Sequence, residues 1–249
     1  MRKHTPSAIA LCAAMTTGST ATAEGTWILG AAVFGETGVY VGQSDDVSLV
    51  PYIAYETERF EISILDGLSY HVIARDGPGD SSTELSFVLA PRYAPDFGDG
   101  ALFDGLDRDT AIEAGLDGRY ETGAFFVDAR VVGDVSNTHK GYEASAFAGV
   151  QYDVGAFTFE SGIGAKYRSS ALNQYLFGVS AADATASRAA FSPGNSTTGF
   201  ASFSAAYALS DSVAVVGDIT FEDLGNATRS PLVDRSSNTS VALGLIYQF

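Results

Sequence analysis

Extended segments that alternate apolar and polar side chains, a leader-like start and a closing strand that ends in phenylalanine together predict an all-β fold. The class they point to is a transmembrane antiparallel up-and-down β-barrel. About twelve strands are expected, with ten as the alternative, joined by short periplasmic turns and long extracellular loops.

The first residues set the compartment. Met1, Arg2, Lys3 and His4 open the chain, Ala8 to Ala14 form a short apolar run, and Ala21-Thr22-Ala23 offers small residues for cleavage before Glu24. Residues 1–23 therefore read as a signal peptide cut between Ala23 and Glu24, and 24–249 as the barrel. The apolar run falls far short of the ~20 residues a helix needs to cross a bilayer. Cys12, the one cysteine, lies in this leader. It makes a poor lipidation site, because Leu11 is larger than the small residue such a site takes. A chain without cysteine suits an oxidising compartment.

Removing the leader takes away Arg2 and Lys3 but no acid, so 226 residues remain with a formal charge of −18. That balance repels phosphate backbones and argues against nucleic acid as a partner.

Strands are expected near 26–35, 48–57, 59–65, 68–75 and 83–93. Asp66-Gly67 signals a type I′ hairpin. Yet Phe60, Ile62, Ile64, Leu68, Tyr70 and Val72 keep one parity through it, so a single long strand competes. Over 110–121, Ile112, Ala114, Leu116 and Tyr120 share one face, and Glu113, Asp117, Arg119 and Glu121 the other. After a turn at Glu121-Thr122-Gly123, Phe125, Val127, Ala129 and Val131 oppose Asp128 and Arg130. Tyr142, Ala144, Ala146, Ala148, Val150 and Tyr152 then oppose Glu143, Ser145, Gln151 and Asp153. Beyond Val154-Gly155, Phe157, Phe159, Ile163 and Tyr167 oppose Thr158, Glu160, Lys166 and Arg168. Phe203, Ala205, Tyr207 and Leu209 lead through Ser210-Asp211 to Val213, Val215, Ile219 and Phe221, with Asp218 and Glu222 opposite.

Strands of about 10 to 12 residues cross a bilayer when tilted, and are long for a soluble sandwich. Aromatic pairs at the turns, Tyr55 with Phe60, Tyr120 with Phe125 and Tyr152 with Phe157, read as an interfacial girdle. In the last strand, Val241, Leu243, Leu245, Tyr247 and Phe249 alternate with smaller or polar residues. This terminal signal implies outer-membrane lipid and the barrel-assembly machinery as partners. With both termini periplasmic, the turns at 121–123, 153–155 and 209–211 are periplasmic, and the connections at 94–109, 134–140, 169–198 and 223–238 extracellular.

Chemistry is sparse. Beyond the leader the only histidines are His71, expected in the lumen, and His139, expected in a solvated loop beside Asn137 and Lys140. No Gly-x-Ser-x-Gly elbow is present, so no catalytic residue, metal site or cofactor is expected and the protein reads as a non-enzyme. Asp96, Asp99, Asp104, Asp107 and Asp109 lack the closing glutamate of a calcium loop and read as a solvated acidic loop. Asn195-Ser196-Thr197, Asn226-Ala227-Thr228 and Asn238-Thr239-Ser240 read as polar loop residues. Glu113, Asp117, Arg119, Asp128, Arg130, Glu143, Glu160, Lys166, Arg168 and Asp218 share the inward faces. They are expected to fill the lumen as an ion-pair network, a pore lining being the alternative.

Two loop stretches carry a family likeness. Tyr175-Leu176-Phe177-Gly178-Val179-Ser180, followed by Ala184 and Ser187, resembles a loop of the MltA-interacting protein (MipA/OmpV) family. Leu224-Gly225-Asn226-Ala227, Ser230-Pro231-Leu232-Val233 and the closing Gly244-Leu245-Ile246-Tyr247-Gln248-Phe249 fit the same family. Near the start, Trp27-Ile28-Leu29-Gly30-Ala31 and Pro51-Tyr52-Ile53-Ala54-Tyr55-Glu56 agree in kind. Leu176 stands where an aromatic is common, and Arg229 where an aspartate is expected. The resemblance implies an outer-membrane scaffold linking a murein-degrading enzyme to a murein synthase, with no catalytic residues. A diffusion channel or transporter, and a surface adhesin or antigen acting through its loops, are the alternatives.

Overall fold

In a computed structural model, residues 25–97 and 100–249 are described. The leader at 1–23 and its cleavage between Ala23 and Glu24 lie outside the described residues. Twelve strands form one closed antiparallel sheet: β1 (Thr26–Glu36), β2 (Asp46–Glu56), β3 (Phe60–Ser63), β4 (Gly67–Asp76), β5 (Ser81–Arg92), β6 (Ala111–Thr122), β7 (Phe125–Asp134), β8 (Tyr142–Val154), β9 (Phe157–Arg168), β10 (Ser196–Ser210), β11 (Val213–Asp223) and β12 (Ser237–Gln248). Each strand lies beside its neighbours in sequence, and β1 pairs with β12 to close the ring. Closure pairs the first strand with the last along its length. Two amides tie the seam: Trp27 donates to the Phe249 carbonyl and Phe249 to that of Trp27, both at 3.0 Å.

Period-two patterning decides which side chain faces where. In β12, Val241, Leu243, Leu245 and Tyr247 stand exposed on the outer wall, while Ala242 and Ile246 are buried inside. The same outward apolar face recurs at Leu116, Val127 and Ile163. Rings cluster at the end that carries the short turns: Trp27 with Tyr55 (4.9 Å), Tyr55 with Phe60 (6.0 Å), Phe157 with Tyr207 (4.4 Å) and Tyr247 with Phe249 (5.5 Å). At the opposite end, Tyr142 faces Tyr167 at 5.9 Å. No helix among the described residues is long and apolar enough to cross a membrane.

The hairpin at Asp66-Gly67 exists, which fixes the count at twelve, but it is not the two-residue turn that the dipeptide suggests. Ser63 pairs with Gly67, leaving three residues in the loop, and the Asp66 amide donates to Ser63 Oγ at 2.8 Å. A three-residue loop returns the chain with parity unchanged: Ile62 faces Leu68 and Phe60 faces Tyr70. Unbroken alternation therefore could not separate a hairpin from one long strand. Gly67 has φ +86, and a Cβ there would sit 2.2 Å from the Leu89 carbonyl oxygen, so only glycine fits this turn. Further along β4, the register shifts between His71 and Ile73. Asn238-Thr239-Ser240 lies within β12, and Ser196 and Thr197 begin β10, so these are strand residues where loop residues are expected.

Short turns at 57–59, 77–80, 123–124, 155–156 and 211–212 mark one end of the barrel. The long connections gather at the other. The one spanning 169–195 holds a helix, α1 (Ser170–Phe177), and the one spanning 224–236 a 3-10 helix, Gly225–Arg229.

Candidate functional site in the lumen and the loop cap

The lumen carries a band of charge on the inner faces of β5 to β9 and β11. Near the loop end, Arg92 Nε donates to Glu113 at 2.8 Å, and its other arm reaches Glu143 at 3.5 Å. Arg168 Nε donates to Glu143 at 2.9 Å and its second arm to Glu222, which also accepts from Lys166 Nζ at 2.7 Å. His139 Nε2 stands 3.1 Å from Glu113, close but without hydrogen-bond geometry. Three cations face three carboxylates here, and each carboxylate has a cation within reach. Burying charge costs several kcal/mol per ion unless it is paired in this way.

Lower in the lumen, Arg119 is the hub. It bonds Glu121, Asp128 (3.2 Å), Glu160 (2.7 Å) and the Gln151 oxygen (3.3 Å), with its guanidinium 4.1 Å over the Phe126 ring. Arg130 donates to Asp117 at 3.1 Å. Asp218 stands apart and accepts from Ser202 (2.8 Å) and Thr220 (3.2 Å). Four carboxylates thus share two arginines, and this half of the band has an acidic surplus.

Glu113, Asp117, Arg119, Asp128, Arg130, Glu143, Glu160, Lys166 and Arg168 therefore meet in two clusters, whereas Asp218 lies outside both. Sequence reasoning passed over Arg92 as a member, although its parity in β5 puts it inward, and left Glu222 out of the network despite reading it opposite Phe221. His139 corrects an expectation. It is buried, not solvated, because its ring stands beside Glu113 and 5.3 Å from the Tyr175 ring, with the Gly141 amide donating to its Nδ1 at 3.0 Å. The residues beside it, Asn137 and Lys140, hold positive φ, the local signal for a tight fold-back.

His71 faces Ser86 across β4 and β5, with Ser86 Oγ 3.0 Å from Nδ1 and Glu84 2.8 Å from the same nitrogen. A hydrolytic relay needs serine and acid on opposite ring nitrogens. Here both crowd Nδ1, and Ser86 donates to Glu84 directly at 3.2 Å. Among the described residues no group of His, Cys, Asp and Glu could hold a metal ion.

Above the charges sits an apolar cap made of loops. Tyr40, Phe97, Phe103, Leu106, Phe177, Val179, Leu224, Leu232 and Val233 are buried against one another. This differs from the solvated acidic loop expected at 94–109: Phe97 stacks on Phe103 at 5.4 Å and meets Tyr40 at 4.9 Å. Loop hydrophobics have no period, so no sequence pattern separated these from surface residues. Helix α1, in a stretch expected only as a connection, starts where Ser169 Oγ accepts from the Leu172 amide; Ser169 followed by Leu172, Tyr175 and Leu176 at helical spacing is the signal that could have found it. Asn173 then anchors the helix from within, donating to the Gly194 carbonyl at 2.8 Å and Ser196 Oγ at 2.9 Å.

Polar clasps join the loops. Tyr40 donates to the Leu176 carbonyl (3.0 Å), Tyr175 to that of Asp109 (2.8 Å) and Ser230 to that of Phe177 (2.6 Å). Buried Arg188 donates to the carbonyls of Asp183, Leu102 and Asp104. Arg108 donates to those of Tyr175 and Gly178. Burial pushes the Tyr175 hydroxyl up to about 12, and raises that of Tyr40 further, helped by the nearby Glu36 charge. Both stay protonated donors at neutral pH. Tyr175, Gly178, Val179, Ser230 and Pro231 all fall in or beside this cap. Ser180 accepts from the Asp183 amide and Ser187 lies near Thr185 on its exposed rim.

The MltA-interacting protein MipA family matches residues 29–249, which is most of the chain and nearly all of the barrel. The chain belongs to that family. It is 29% identical over 240 residues to the MltA-interacting protein of Escherichia coli (strain K12), covering 94% of each chain. It is 27% identical to the outer membrane protein Omp26La of Vibrio anguillarum, covering 93% of this chain and 90% of that one. Among solved structures, the NanC porin aligns with a TM-score of 0.47 at 10% identity, covering 88% of this chain and 98% of that one. This family member is an outer-membrane β-barrel. Its short turns gather at one end of the barrel and its loop cap covers the other.

Proposed function

We propose that this MipA-family barrel is a non-enzymatic structural scaffold of the outer membrane, one that holds a murein-degrading enzyme beside a murein-synthesising one. The observation that carries the proposal is the match, over 94% of each chain, to a relative named for interacting with MltA. A lumen crossed by paired charges and a mouth covered by an apolar cap support a body that stabilises itself rather than turning over a substrate. Contact would use the short turns and the strand ends beside them, where exposed Glu58, Asp76, Asp80, Asp153 and Asp211 outnumber Arg59 and Arg75. An acidic rim favours a basic partner surface and makes the contact weaken with salt. Capture from cross-linked cells with the tagged barrel is expected to recover a murein transglycosylase, less of it as salt rises before cross-linking. Recovery of the intact barrel without any murein enzyme overturns the scaffold.

A second reading, a diffusion channel, is favoured by one feature, the acidic surplus around Arg119 and Arg130. It predicts cation-preferring conductance steps in planar bilayers, and a silent bilayer containing folded barrel removes it.

A further inference from the structure

The barrel wall is not equally tall all round. Between β2 and β5, the hairpin of β3 and β4 turns back at 64–66, while β2 continues up to Asp46 and β5 to Arg92. The last bond from the hairpin to β2 joins the Ile64 amide to the Ile53 carbonyl at 3.1 Å. Backbone groups along a strand point alternately to either side, so Val47, Leu49 and Pro51 aim the same way as Ile53, away from β1. Among the described residues no strand pairs with β2 on that side above Ile53. The open edge runs roughly 20 Å at about 3.3 Å per residue.

Two prolines stand on this gap. Pro51 lies on the β2 edge with no N–H to offer. Across from it, the Leu89 carbonyl turns to Gly67, so Pro91, two residues further along β5, faces the gap as well. Proline belongs on edges because it lacks the ladder donor, and here it withholds that donor from both sides. The outward side chains register the missing neighbour. Val47 and Leu49 are 71% and 74% exposed, against 44% for Val33 and 59% for Leu243 in the same row as Leu49.

Residues 93–97 close the gap at the top, running from the end of β5 to Phe97 against the Tyr40 ring. Tyr93 reaches back across it, its hydroxyl donating to the Ile64 carbonyl at 3.3 Å. Inside, Tyr52 and Ala54 of β2 belong to an apolar lining with Ile28, Val216 and Ile246, against which Leu65 of the hairpin loop packs.

We infer that this window is a lateral portal through which the acyl chain of a surrounding lipid enters the lumen and lies along the apolar lining, with Tyr93 as its latch. Hydrocarbon needs no hydrogen bond from the edge, whereas an added strand needs the donors that Pro51 and Pro91 lack. A polar solute would have to approach through lipid, past Val47 and Leu49.

The test uses the full barrel with Trp27→Phe, reconstituted in vesicles whose lipids carry bromine on their acyl chains. Single tryptophans replace Leu49 (outer wall), Val50 (inner wall at the window) and Phe147 (inner wall on the charged side). Bromine is expected to quench Val50→Trp to an extent comparable with Leu49→Trp and to leave Phe147→Trp bright. Adding Tyr93→Ala is expected to deepen the loss at Val50→Trp alone. Quenching confined to Leu49→Trp overturns the portal, and so does equal quenching at Val50→Trp and Phe147→Trp. A Leu49→Cys barrel that forms a disulfide-linked dimer in the membrane would mean a second copy's strand fills the edge, which also overturns it.

Discussion

The lumen has two linings that solve the same problem in opposite ways. On the side of β5 to β9, charged side chains are buried and each must find a partner across the wall. On the side of β1, β2 and β10 to β12, Ile28, Ala54, Ala206, Ala214, Val216 and Ile246 line the wall with small and branched apolar groups. The charged lining depends on specific pairs and fails when one member is lost. The apolar lining depends on volume and degrades gradually.

The sharpest way to break this contrast is at Arg168, held between Glu143 and Glu222. Arg168→Met strands two carboxylates and is expected to cost about 3–5 kcal/mol in urea unfolding from lipid, with part of the loss recovered by adding Glu222→Gln. On the apolar side Ile246→Ala is expected to cost about 2–4 kcal/mol, and Ile246→Val only about 1 kcal/mol, with no partner substitution able to rescue either. If Ile246→Ala were rescued by a single distant change, or Arg168→Met cost no more than Ile246→Val, the two linings would not differ in kind.

The cap mixes both strategies, and single losses there cost less. Ser230→Ala removes the bond to the Phe177 carbonyl and is expected to cost about 1 kcal/mol. Limited proteolysis should find the loss in the connections at 169–195 and 224–236, with the barrel itself uncut. The smallest change is set by pH. A tyrosine whose folded pKa is raised contributes stability below its unfolded value near 10, and loses it as pH climbs toward the folded one. Between pH 10 and about 12, ionising Tyr175 should loosen the cap, read as faster loop cleavage, and Tyr175→Phe should flatten that dependence.

Legibility followed periodicity. Parity alone put Glu113, Arg119, Glu143 and Arg168 on the inward face, because a strand must choose a side for every residue. What parity cannot give is register, so it did not show that Arg92 bridges Glu113 and Glu143, a contact fixed by Ala90 pairing with Glu113. It was silent on the hairpin at Gly67, where an odd loop preserves alternation. It was silent again in the cap, whose buried Phe97, Phe103 and Leu232 follow no repeat and were found only once the loops converged. His139 was misplaced for a related reason, since a polar neighbourhood in sequence says nothing of what folds over it.

The seam between Trp27 and Phe249 has an outcome for biogenesis. The first strand's permanent neighbour is the twelfth, which follows every other strand in the chain, so any nascent chain lacking it carries two bare sheet borders that nothing in its own sequence can satisfy. The ring can therefore close only after β12 is made, and deleting β12 is expected to yield chains that are degraded rather than inserted.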